Sequence, residues 1–168
     1  MVSSRAIRYA EISRYLIEEA QEQQERGDLI QASEKCWGAV AHAVKSLAQS
    51  RGWNHRRHDL LRDVVDQIAE EWDRLDLPVL FDSADAMHQN FYEHELYDYR
   101  VQRGINNAST LIAELERLRA EPSRPFIPQT PGRQRRLRKL TRSPGPVDED
   151  DVSDLPPVRP HPPVSMEV

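Results

Sequence analysis

The fold is decided by residues 29–50, which read LIQASEKCWGAVAHAVKSLAQS. Apolar residues recur at helical spacing along two neighbouring faces of this segment, one starting at Leu29 and the other at Ile30. Only a narrow polar strip remains, made of Gln31, Lys35, His42, Lys45 and Gln49. Because a helix that is apolar on two faces must bury both, the segment predicts a central helix with neighbours on either side.

Amphipathic segments lie on both sides of this central helix. Residues 4–26 have helical spacing and end at Gly27-Asp28, where Asp28 is suited to cap the central helix. Further helices are predicted after Trp53-Asn54 as far as residue 72, from a break at residues 76–78 through residue 91, and over residues 98–120. No segment alternates with a period of two, so the prediction is all-α: a four- to five-helix up-and-down bundle.

The composition changes at Glu121. Eleven of the twelve prolines follow it, whereas all three tryptophans and all five tyrosines precede it. We therefore expect one helical domain over residues 1–121 and a disordered, proline-rich tail over residues 122–168. The tail contains a basic block at 133–142 and an acidic block at 148–154, with too few large apolar groups to offset the ordering entropy.

Charge and cysteine content exclude several classes of protein. Residues 1–121 carry 15 Lys/Arg against 22 Asp/Glu, a balance that is not typical of a duplex nucleic-acid binder. The single Cys36 excludes an intrachain disulfide and a cysteine-rich zinc site. No apolar run approaches the ~20 residues of a membrane span, and acidic residues interrupt the N-terminal stretch where a signal peptide would be apolar. We expect a cytoplasmic protein with no membrane association, cofactor or metal.

His88 is the sharpest candidate for chemistry. On a helix Asp85, His88 and Tyr92 share one face, so that the carboxylate would orient the imidazole and the phenol would donate a hydrogen bond. Such a group suits general acid–base catalysis or phosphate binding. The alternative is a structural histidine on the rim of the bundle, and this interpretation is favoured because perturbed ion pairs are commonly structural.

Two basic segments and part of the polar strip are candidates for binding. The turn at residues 54–59 has the sequence NHRRHD, and if Asn54 caps the next helix, an anion would bind at that helix end; the alternative is a solvated turn. His42 and Lys45 either line a cleft or simply face water. The block at 133–142 would hold RNA through its phosphates, but a protein partner or a solvated tail is favoured because the block has no aromatic residue for stacking.

Three segments carry a family resemblance: ASEKCWGAVAHAVK at 32–45, GWNH at 52–55 and MHQNFYE at 87–93. Together with the pairing of the first two helices, they resemble HEPN domains, and most closely their PaREP-like branch, over about residues 5–120. The resemblance implies a bundle that dimerises around a polar cleft. It also implies a role in toxin–antitoxin, defence or nucleotide-handling systems, in which a nucleotidyltransferase is a potential partner.

Ribonuclease members of that group carry an arginine, four to six residues, and then a histidine near the last long helix. At that place the chain has His88 to His94 without a preceding arginine, and the similarly spaced Arg51 and His58 lie elsewhere. We therefore predict a non-catalytic, homodimeric module that binds a nucleotide or RNA. Its predicted ligand- and phosphate-binding residues are His42, Lys45, His55, Arg56, Arg57, His58 and His88. The alternatives are a metal-independent endoribonuclease that uses His88, and a structural adaptor that docks a protein partner through its tail.

Overall fold

The computed structural model describes residues 3–93, 97–142, 155, 156 and 158, except for the side chains of residues 90–93. Within these residues the chain is helical and contains no strand, which confirms the all-α prediction. The helices are α1 (Ser4–Glu25), α2 (Leu29–Ser50), α3 (His58–Glu71), α4 (Asp76–Glu93), α5 (Asp98–Ala120) and α6 (Pro131–Thr141). No helix in this part of the chain is long and apolar enough to cross a membrane.

A tight turn joins α1 to α2 as an antiparallel pair. Gly27 has a φ of +80°, a left-handed conformation that favours glycine, and it ends α1. The Asp28 carboxylate then accepts a hydrogen bond of 3.0 Å from the backbone N–H of Gln31. The predicted helix stop and the predicted cap are therefore both confirmed.

Helix α2 is the centre of the bundle and packs against α1, α3, α4 and α5. Its fully buried positions include Cys36, Val40, Val44 and Leu47. Buried hydroxyl groups join α2 to α1: Ser13 donates to the carbonyl of Ala39, and Ser46 donates to the carbonyl of Ala6, both at 2.7 Å. The prediction of neighbours on two faces of α2 is confirmed.

Helix α1 buries Tyr9, Ala10 and Ile12, whereas Ile7 is 43% exposed. Helices α4 and α5 meet at Gly104, where a Cβ atom would lie 2.6 Å from Met87 Sδ. Glycine at this position thus permits a close approach between the two helices.

Residues 131–141 correct the prediction of a wholly disordered tail. They form α6, whose N-terminus is capped by the Thr130 side chain, and α6 packs on α3. Leu140 is fully buried, and its carbonyl accepts a 2.7 Å hydrogen bond from the backbone N–H of Asn54. Ordering these residues costs conformational entropy, and their composition alone gave no sign that this cost is offset. Burial of Leu140 and ion pairs to α3 offset it. The acidic block lies outside the described residues.

Candidate functional site

The structure divides the predicted histidines into two groups around two aromatic rings. We call the first the Tyr9 group; it consists of Tyr9, His42, Lys45 and His55. We call the second the Trp37 group; it consists of Trp37, His58, Asp85 and His88. The sequence treated their histidines as one site, whereas each ring gathers its own pair.

In the Tyr9 group, side chains from α1, α2 and the α2–α3 turn meet. The ring of Tyr9 lies 6.0 Å from that of His42 and 5.4 Å from that of His55, centroid to centroid. His42 Nδ1 donates to the carbonyl of Gly38 at 2.7 Å, and His55 Nε2 is 2.9 Å from Gln49 Oε1. Both imidazoles are therefore held in defined orientations.

The Tyr9 group is rich in cations. Burial, reinforced by the charges of Lys45, Arg5 and Arg56, lowers the pKa of His55 to about 4. Burial also lowers the pKa of His42, and burial together with Arg5 lowers that of Lys45. Among the described residues no carboxylate forms an ion pair with Lys45. A desolvated ammonium group in such surroundings favours a bound anion.

In the Trp37 group, three rings lie against one another. The centroid of the Trp37 ring is 4.8 Å from that of His58 and 5.3 Å from that of His88, and the two imidazole centroids are 5.7 Å apart. His58 comes from the first turn of α3 and His88 from α4, so only the tertiary fold brings them together. Residue Tyr92, the third member of the predicted catalytic set, has its side chain outside the described residues.

Carboxylates dominate the charge beside the Trp37 group. Asp85 Oδ1 is 3.9 Å from His58 Nε2, and its other oxygen forms a 3.1 Å ion pair with Arg62. Arg62 also pairs with Asp82 and is thus shared between two acids. Because this balance repels anions, the group is poorly suited to hold a phosphate by charge alone. Two imidazoles beside a carboxylate instead suit proton transfer.

The turn before α3 departs from the prediction. Helix α3 begins at His58, and its N-cap residue, Arg57, makes no side-chain capping bond. Asn54 Oδ1 accepts instead from the backbone N–H of Arg56 at 3.2 Å. The proposed cap by Asn54 is therefore wrong, because its side-chain amide bonds to Arg56, within the turn that precedes α3.

The same turn and α6 enclose a groove that the sequence did not reveal. We call it the α6 groove; its volume is about 640 Å³. Its lining residues are Asn54, Arg57, Leu60, Arg135, Arg138, Lys139, Thr141 and Arg142. The two basic segments that form it are nearly 80 residues apart in the chain. The sequence showed that each segment is basic, but nothing in it indicated that the two meet.

A buried polar relay fixes α6 on the bundle. Arg51 forms a 3.3 Å ion pair with Glu71, and Glu71 accepts from Gln67 at 3.1 Å. Gln67 in turn accepts a hydrogen bond from Arg136 Nε at 3.1 Å, and the other two guanidinium nitrogens of Arg136 donate to the Glu70 carboxylate. Arg51 and His58 have the sequence spacing of the nuclease motif. Because the Arg51 side chain is ion-paired with Glu71, however, the two residues do not form an Arg–His pair.

Neither Cys36 nor a metal site adds a reactive group to the described residues. The Cys36 thiol is buried, and this burial raises its pKa to about 12, so it is not a reactive thiolate. Its Sγ lies 3.8 Å from the carbonyl oxygen of Gly104. Over the described part of the chain, no three His, Cys, Asp or Glu side chains come together in a manner suited to a metal ion.

A five-helix bundle around an apolar central helix, with basic sites on its surface, places the chain among small all-helical domains. More particularly, the chain belongs to the archaeal PaREP1/PaREP8 family, whose sequence model matches residues 8–112. The PaREP part of the predicted resemblance is thereby confirmed. Helix α6 lies beyond the matched residues.

A solved structure has a similar fold. It is the crystal structure of a protein from Sulfolobus solfataricus, 22% identical in sequence, with a TM-score of 0.56. The likeness covers 63% of this chain and 94% of that one. No curated protein matches the chain.

Proposed function

We propose that this protein is a non-catalytic module of the HEPN type that binds the phosphate of a nucleotide or RNA. The observation that carries the proposal is the Tyr9 group, in which the half-buried ammonium group of Lys45 lies near His55 and the charged Arg5. The cytoplasmic setting, the homodimer and a nucleotidyltransferase partner in a toxin–antitoxin system belong to the same proposal. They rest on the HEPN resemblance.

The electrostatics of the Tyr9 group support an anionic ligand. Burying the charged forms of Lys45 and His55 costs free energy, and the lowered pKa of each group expresses this cost. A phosphate at this place would accept charge-assisted hydrogen bonds from Lys45 and Arg56, and its charge would favour protonation of His55.

Calorimetric titration of the full chain with nucleotides, inorganic phosphate and short RNA tests this proposal. A charge-assisted hydrogen bond contributes about 1.5–3 kcal/mol, so Lys45→Gln is expected to weaken binding by roughly ten- to a hundredfold. Lys35→Gln is the matched control, because it removes the same charge from the same polar strip of α2. An absence of heat with all three ligand types contradicts the proposal.

A second candidate function is a metal-independent endoribonuclease at the Trp37 group. It is favoured by the contact between His58 and His88 beside Asp85, since two imidazoles can act as the general base and general acid of phosphodiester cleavage. This candidate predicts RNA cleavage in the presence of a chelator. His58→Ala and His88→Ala would each lower the rate by about 10²–10⁴-fold. Cleavage that is equal in both variants and the unchanged chain would come from a contaminating nuclease.

The third hypothesis, an adaptor that docks a partner through its tail, has one apolar side chain fewer available to it. Leu140 is one of the two leucines in the basic block, and it is already buried against this chain's own bundle. A partner would have to displace α6 to use it. The structure thus favours α6 as a part of the folded domain.

A further inference from the structure

The α6 groove is a second basic site, separate from the Tyr9 group in its residues. We propose that it binds the phosphodiester backbone of single-stranded RNA without sequence preference. The inference rests on the proposed function, because that function supplies RNA as the ligand class. It goes further in assigning RNA to the α6 groove. Only part of the lining of this groove belongs to the residues that the family model matches.

Helix α6 uses its basic residues in two different ways. One set docks the helix on α3: Arg133 and Arg136 pair with Glu70, and Lys139 pairs with Asp63. The other set, Arg135, Arg138 and the C-cap residue Arg142, lines the groove beside Lys139. Docking therefore neutralises one set of charges and presents the other to a ligand.

The lining of the groove is strongly cationic. Among the residues that the structure describes, five Lys/Arg side chains line it and no carboxylate residue does. Arg57 and Lys139 have carboxylate partners in Asp59 and Asp63. Within the described part of the chain, the side chains of Arg135, Arg138 and Arg142 make no hydrogen bond or ion pair. Three guanidinium groups are thus free to bind anions.

The spacing of these three arginines suits a repeating anion. Arg135 and Arg138 lie at i and i+3 of α6, and Arg142 is the C-cap residue just after the helix, so the rise of about 1.5 Å per residue spreads the three over about 10 Å. A nucleic-acid backbone presents successive phosphates at comparable intervals, and guanidinium groups bind phosphate oxygens in a bidentate manner. The groove therefore fits a backbone segment of two or three phosphates.

The lining also indicates which polyanion the groove fits. Of the described residues that line it, Leu60 alone is apolar and none is aromatic, so the described lining offers no ring for base stacking. Peptide recognition commonly uses pockets for apolar side chains, and Leu60 is the one apolar side chain that the described lining offers for such a pocket. Binding through phosphates alone requires no such pocket and should depend steeply on salt. The missing aromatic residue argues against sequence-specific binding, not against binding.

The experiment is fluorescence anisotropy of a labelled twelve-nucleotide oligouridylate with the full chain, from 50 to 200 mM salt. The double variant Arg135→Gln/Arg138→Gln keeps every α6–α3 ion pair and removes two phosphate contacts. Its affinity should fall at least tenfold, and the slope of log affinity against log salt should become shallower by about 1.4. The matched control, Arg103→Gln/Arg117→Gln, removes two exposed charges from α5 and should behave as the unchanged chain.

Several results would overturn the inference. One is an affinity and salt slope that stay unchanged in the double variant; another is the absence of RNA binding by the unchanged chain. A third is tighter, equally arginine-dependent binding of an acidic peptide, such as this chain's residues 147–154 (VDEDDVSD), which would make the groove a protein-binding site. A twelve-nucleotide oligothymidylate should bind within a few-fold of the RNA, because both backbones present the same phosphates.

The Lys45→Gln variant separates this inference from the proposed function. If nucleotide binding depends on Lys45 while RNA binding ignores Arg135 and Arg138, the proposed function stands and the groove assignment fails. If nucleotides do not bind but the double variant loses RNA, the Tyr9 group is not the ligand site and the groove is.

Discussion

His55 shows at the scale of one residue how burial sets chemistry. Its imidazole is packed against Tyr9 and bonded to Gln49, and nearby cations add to the cost of protonating it. Its pKa of about 4 in the folded chain lies well below the ordinary value of about 6.5. His55 is therefore neutral in the folded protein under conditions in which an unfolded chain protonates it.

This difference predicts a pH-dependent loss of stability. Above pH 6.5 the residue is neutral in both states and has no effect. As the pH falls from 6.5 to about 4 the unfolded state binds the extra proton, so up to about 3 kcal/mol of the free energy of unfolding is lost. His55→Gln removes the titration and can still hydrogen-bond to Gln49, so the variant should lose correspondingly less stability between these pH values. Urea unfolding at pH 7.5 and pH 4.5 measures the effect; parallel losses in both chains would contradict it.

Single residues also mark the limit of what the sequence disclosed. Asp28 and Gly27 act locally, within a few residues, and their roles as cap and helix stop were predicted correctly. Asn54 was assigned a role that depended on where α3 begins, and α3 begins four residues later. His58 and His88 meet only through the packing of α3 on α4, which no local spacing encodes.

Packing between elements depends on two glycines with different surroundings. A Cβ atom at Gly104 of α5 would lie 2.6 Å from Sδ and 2.9 Å from Cγ of the buried Met87. At Gly38 of α2 the nearest atom is Leu16 Cδ1 at 3.2 Å, the end of a flexible, partly buried side chain. The first clash forces a shift in the core, whereas the second needs a small rotation.

The matched variants Gly104→Ala and Gly38→Ala should therefore change the free energy of unfolding by amounts that differ in sign or size. Alanine gains about 1 kcal/mol of helix propensity over glycine at either position. At Gly104 overpacking costs about 1–3 kcal/mol, so the net change should be neutral to destabilising by up to about 2 kcal/mol. At Gly38 the propensity gain should prevail. Chemical denaturation of the two variants measures the difference, and a more stable Gly104→Ala would contradict it.

The elements that sequence reasoning placed well are those that bury their own apolar stripe. The predicted bounds of α2 and α5 agree with the structure, because each stripe extends along the whole helix. Helix α6 was missed because its residues are mostly basic and only Leu140 is buried. What stabilises α6 is supplied by Glu70 and Asp63 of α3, far away in the sequence.

Across the whole molecule, negative charge in residues 1–121 and positive charge in the tail are not independent properties. Helix α6 takes carboxylates of α3 as docking partners and leaves its remaining arginines around a groove. The mildly acidic balance of residues 1–121 is not typical of a duplex nucleic-acid binder. The folded unit that includes α6 has a concentrated basic surface that the average charge conceals.

The contacts of α6 predict what its removal would do. Helices α1–α5 supply most of the apolar core, to which α6 contributes Leu140, and α3 is the helix against which α6 packs, so a chain of residues 1–121 should fold. It would lose the burial of Leu140 and the bond from Arg136 to the fully buried Gln67. We expect the free energy of unfolding to fall by about 2–5 kcal/mol, with the helical circular-dichroism signal of the bundle retained. A chain of residues 1–142 is the matched control and should keep the stability of the full chain. Urea unfolding compares all three, and a chain of residues 1–121 that is unfolded or aggregated would show that α6 is required for folding.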